Sequence, residues 1–163
     1  MSDLSHSTSA RSWSIDDLKI FDICHHIHRH AEDFYLYLAH SHKSDRALGR
    51  TWGLLAIDKC NHSDTFKFAE RLKGHGVREI TLSHSTAQGI LNKMKTLPKI
   101  GAGSTSPPSA EDAIRFSVKM EEALNSVHFS KVIRFQSEHD STLMASGLKS
   151  STSIMKMITE LQA

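Results

Sequence analysis

Leu55-Ala56-Ile57-Asp58-Lys59-Cys60-Asn61-His62-Ser63-Asp64-Thr65-Phe66 is the stretch that decides the fold. With its flanks it places Leu48, Trp52, Leu55, Lys59, His62, Phe66 and Ala69 at alternating spacings of four and three, the seam of a helix packed in a bundle. Lys59 and His62 fall where that seam calls for apolar side chains. A buried ammonium or imidazole without a partner costs several kcal/mol, a large part of a domain's stability, so these two residues imply partners on other helices.

Working outward, Ser14 followed by Asp16 and Asp17 reads as a helix start, and the spacing predicts a first helix over about residues 15 to 42. Its inward stripe is Phe21, Cys24, His28, Ala31, Tyr35 and Leu38, flanked by His25 and Glu32. A short break, with Ser44 as cap, leads to the second helix over roughly 45 to 73, antiparallel to the first. Gly74 and Gly76 end it. A long connection follows, with a short crossover helix from His84 to Leu97 and a mobile Gly/Ser/Pro loop over 101 to 108. Ser109 with Glu111 and Asp112 opens a third helix, expected over 110 to 136, with the stripe Ile114, Val118, Glu121, Leu124, His128, Val132 and Phe135. A fourth, expected over 141 to 160, carries Met144, Leu148, Ser151, Met155 and Ile158. Two long antiparallel helices, a crossover between helices two and three, and two further helices predict an all-α chain with the order of a ferritin-like four-helix bundle.

A chain of 163 residues suits one such domain, here 14–163, behind a serine-rich, polar leader at 1–13 expected to be disordered. The leader has no apolar run, so neither a signal peptide nor a membrane anchor is expected, and the location is expected to be cytoplasmic. A formal net charge of +2 gives no reason to expect nucleic acid as a partner. The two cysteines, Cys24 and Cys60, make no disulfide framework and are expected as free thiols. Twelve histidines are the compositional outlier. Most are expected to face solvent, and pairs such as His26 and His30 offer only adventitious metal capture.

The chain resembles the rubrerythrin branch of the ferritin-like family over about residues 15 to 160. The second helix carries Leu55, Ala56, His62 and Phe66 of that family's Leu-Ala-x-x-Glu-x-x-His pattern, with Lys59 in place of the glutamate. His28, Ala31, Phe34 and Tyr35 in the first helix, and Glu121, Leu124, Val127 and His128 in the third, follow the opening-helix pattern of the two family halves. Alignment of the fourth helix through Ala145 puts Leu148 and Ser151 at its glutamate and histidine positions. The resemblance implies an interior site where relatives hold two irons to reduce peroxide or oxidise ferrous ion. Of the six ligand positions only His62 and Glu121 keep the family residue, with His28 as a replacement donor.

Two irons need bridging carboxylates to offset their charge, and Lys59 supplies an ammonium instead. The expectation is therefore an interior charge pair, Lys59 with Glu121, in a protein that has lost di-iron catalysis and serves binding or regulation as a homodimer. His28 and His62 read either as a hydrogen-bonded core pair or, with Glu121, as ligands of one residual zinc or iron ion, with His25, Glu32 and Cys24 as weaker donors. The alternative reading is an iron-dependent oxidoreductase or peroxidase with an atypical metal site.

Overall fold

Ser14 starts the first helix by a reciprocal cap: its Oγ accepts from the Asp17 amide at 3.0 Å, and Asp17 Oδ2 accepts from the Ser14 amide at 3.1 Å. The computed structural model describes residues 12–74, 76–96 and 106–162. The leader to residue 11 and most of the expected mobile loop lie outside the described residues. Helix α1 (Ile15–Ser41) buries Phe21, Cys24, His28, Ala31, Tyr35 and Leu38, the whole expected stripe. Helix α2 (Arg46–Leu72) buries Leu48, Trp52, Leu55, Lys59, His62, Phe66 and Ala69. Its cap is Asp45, whose carboxylate accepts from the Ala47 and Leu48 amides, and not Ser44 as the sequence suggested.

The two long helices pack along their length on each other. Gly49 sits at their turn, where an added Cβ would lie 3.3 Å from the His42 carbonyl oxygen. Trp13 Nε1 donates to the Lys73 carbonyl at 2.9 Å, tying the start of α1 to the end of α2. Helix α3 (His84–Thr96) lays Ala87, Ile90, Leu91 and Met94 onto the hairpin, chiefly onto α1.

The chain is predominantly helical, but its second half departs from two further long helices. Helix α4 (Ala110–Leu124) ends twelve residues short of the expected Gln136, and is followed by a 3₁₀ turn (Asn125–Val127) and the short helix α5 (Phe129–Val132). Ile133–Phe135 is a strand, β2, antiparallel to β1 (Val77–Ile80), with Val77 opposite Phe135 and Ile80 opposite Ile133. The Val-Ile-Arg-Phe run that supplied helical spacing is rich in β-branched and aromatic residues, and pairing with β1 buries Ile133 and Phe135 on one side. Val118 and His128, expected in the seam, are half-buried.

The expected fourth helix is two: α6 (Glu138–Ala145), which buries no residue, and α7 (Ser151–Thr159), which packs Ile154 and Ile158 against α4. Met144, Leu148, Ser151 and Met155 are only half-buried. Ser150 caps α7 through the Ser153 amide, so the chain between the helices is turned out of the ladder.

Phe66 lies at the centre of this packing, with ring centroids 5.6 Å from His28 and 5.2 Å from Phe129. Phe66→Ala is predicted to cost about 3–5 kcal/mol, seen as a lower urea midpoint with unchanged slope.

Candidate functional site

Lys59 is 2% exposed, so its ammonium has left water and must be compensated by the protein. Its Nζ donates to Glu121 Oε2 at 2.9 Å and to Asp58 Oδ2 at 3.3 Å. The other carboxylate oxygens are also satisfied. Tyr35 donates its hydroxyl proton to Glu121 Oε1 at 2.6 Å, and the Lys149 amide donates to Asp58 Oδ1 at 2.8 Å. Burial and the adjacent Glu121 carboxylate hold the Tyr35 phenol well above its ordinary pKa, so it stays a donor. The network therefore runs from α1 through α4 and α2 to the segment between α6 and α7.

That segment is gripped twice. Asp58 takes the Lys149 N–H, and His128 Nε2 donates to the Lys149 carbonyl at 3.0 Å. With Nε2 as donor, His128 Nδ1 accepts from Ser130, its hydroxyl at 2.8 Å and its amide at 3.4 Å. Both backbone polar groups of Lys149, in two successive peptide units, are thereby taken by side chains from other elements, which is the physical reason the fourth helix breaks here.

Above the charge network, the His28 and His62 rings stack nearly parallel, 11° apart with centroids 4.7 Å from each other, and His128 meets His62 edge-on at 4.5 Å. His28 Nε2 donates to the Val127 carbonyl at 3.1 Å, while His28 Nδ1 and both nitrogens of His62 have no hydrogen-bond partner. Asp58 Oδ2 is 3.7 Å from His62 Nε2, beyond hydrogen-bond reach. Burial, helped by the Lys59 charge, pushes the His28 pKa down to about 3. Burial first, then His28 and Lys59, drives the His62 pKa far down as well. Both rings are neutral in the folded chain.

The residues expected as metal ligands share this core but are not arranged as donors. Lone pairs lie in the imidazole planes, so two parallel stacked rings cannot converge on one ion. His28 Nε2 and both Glu121 oxygens already have partners. Among the described residues no group of three His, Cys, Asp or Glu side chains is spaced to hold a metal ion. Of the weaker candidates, His25 Nδ1 is engaged by Ser63 Oγ at 2.7 Å, Glu32 pairs with Arg29 at 2.6 Å, and burial pushes the Cys24 thiol up to about 12. Leu148 is half-buried between α6 and α7, and Ser151 Oγ donates to Asn125 Oδ1 at 3.0 Å.

Sequence reasoning missed Asp58. Its signal was present, because Leu55, Asp58, Lys59 and His62 stand at i, i+3, i+4 and i+7, all on the inward face. Compared with known protein families, with curated proteins and with solved structures, the chain matches none.

Glu121→Ala is predicted to strand part of the Lys59 charge and destabilise by about 3–5 kcal/mol, whereas Lys59→Met combined with Glu121→Gln costs much less. A double-mutant cycle by urea denaturation measures the coupling, and additive effects would exclude it.

The histidine pair predicts acid sensitivity with a definite sign. In the unfolded chain each imidazole protonates near 6.5, but in the folded chain only far lower, so unfolding takes up protons as pH falls. Their stabilising effect is complete above 6.5 and declines toward about 3, by up to about 1.4 kcal/mol per pH unit for each histidine. His28→Gln keeps a donor for Val127 and should remove close to half of the histidine slope between pH 6.5 and 5, read from urea midpoints.

Proposed function

We propose that this chain is a ferritin-like protein of the rubrerythrin-related type in which a lysine ammonium stands where relatives hold metal, and that it works by binding or regulation without di-iron catalysis. The observation that carries the reading is Lys59 Nζ lying 2.9 Å from Glu121 and 3.3 Å from Asp58. A cation here offsets one unit of the carboxylate charge that would draw ferrous ion and repels any iron placed beside it. The stacked, neutral histidines support the same reading, because they pack as aromatic rings and do not present converging lone pairs.

A second reading, one zinc or iron ion, is favoured by the two unpartnered nitrogens of His62 and the Asp58 oxygen 3.7 Å away. It requires Lys59 to swing off Asp58.

The two readings separate on metal loading. Untagged protein incubated aerobically with ferrous ion is predicted to retain no iron by elemental analysis and to oxidise it no faster than buffer. One ion per chain, lost in His62→Ala, would favour the mononuclear reading. Rapid oxidation of two ferrous ions per chain would restore the oxidoreductase alternative.

A further inference from the structure

Between α2 and α6 runs a cleft of about 490 Å³, continuous past Phe68, Leu143 and Met144 with a second of about 210 Å³ that reaches Leu72. Its apolar walls stand open: Leu143 is 62% and Phe68 49% exposed. The opening has a structural cause. With the fourth helix broken around Lys149, α6 buries no residue, and among the described residues α2 packs most extensively on α1, on its other side.

We infer that this cleft binds a basic amphipathic helix of a partner protein. The larger cleft is lined by α2, α6 and the turn after α6, with no strand residue among its described walls, so it offers no strand edge to pair with an extended peptide; Gly76 and, from β2, Phe135 line only the second. An occupant must bring a backbone already satisfied, and a helix does so. The stretch of α2 from Asn61 to Leu72 is about 16 Å long, three turns, enough to seat apolar side chains at i, i+4 and i+7. Charge fixes the sign of the partner. Asp64 lines one cleft and Asp140 the other, and no lysine or arginine lines either among the described residues. Cationic residues flanking the apolar stripe meet these carboxylates, while an anionic lipid surface is repelled. The inference gives a location to the binding role proposed above and rests on that reading only to this extent. Iron loading tests the interior site; peptide binding tests the cleft.

The probe is a fluorescein-labelled peptide of about 14 residues, leucines on one helical face and lysines on the other, titrated with the full chain by fluorescence anisotropy. Its leucine/glutamate counterpart is the charge control. Expected are saturable binding of the lysine peptide and none of the glutamate peptide. Leu143→Asp, and separately Asp64→Lys with Asp140→Lys, should weaken binding at least about tenfold, while Leu36→Asp on the exposed side of α1 leaves it unchanged. Circular dichroism matching the parent shows that each variant is folded. Equal binding by all variants, binding of both peptides alike, or no binding at all would overturn the inference. So would a concentration-dependent dimer in sedimentation that Leu143→Asp dissolves, since a second copy would then fill the cleft.

Discussion

Everything in the interior is arranged around one ammonium that has been taken out of water. An unpaired lysine at that depth would cost a large fraction of the whole stability of a domain. Lys59 is held by Glu121 from α4 and Asp58 from its own helix, and each acid is completed by a further donor, Tyr35 from α1 and the Lys149 peptide from the chain before α7. Apolar packing alone tolerates small slips between helices. A set of directed bonds does not, and this set fixes the register of α1, α2 and α4 together.

The aromatic layer beside it plays a different part. His28, His62, Phe66 and Phe129 form a run of rings in which imidazoles serve as flat, neutral packing units. Leaving three ring nitrogens without partners is a cost, since buried polar atoms are ordinarily satisfied. Burial chiefly, and the nearby ammonium in addition, keep them from gaining a proton, so the charge network and the ring stack are electrically linked although no hydrogen bond joins them.

The first half of the molecule was legible in the sequence because its cause is local: apolar residues at three-and-four spacing, a capping serine, and two polar residues on a stripe that demand company. The Lys59 and Glu121 positions stood out by that logic, and Asp58 was visible in the same spacing but masked by its charge. The second half was not legible, because distant partners override periodicity there. Val132 and Phe135 fit a helical seam, yet residues 133–135 pair with Val77–Ile80 more than fifty positions earlier. The run through Lys149 also fits a helix, but Asp58 and His128 take its peptide groups. Beyond the β-branched and aromatic composition of residues 132–135, neither pairing leaves a trace in the local pattern.

The buried trio also governs how this sequence can drift. Replacing any one of Asp58, Lys59 or Glu121 leaves the others with an unbalanced charge or an orphaned bond, so most single steps cross a valley of poor folding. The arrangement is held by its own charge balance: exchanging Lys59 for an acidic side chain would need a new cation to arrive as the lysine departs. Surface histidines and the walls of the α2–α6 cleft face no such barrier. Change is free to accumulate on the outside while the interior stays locked.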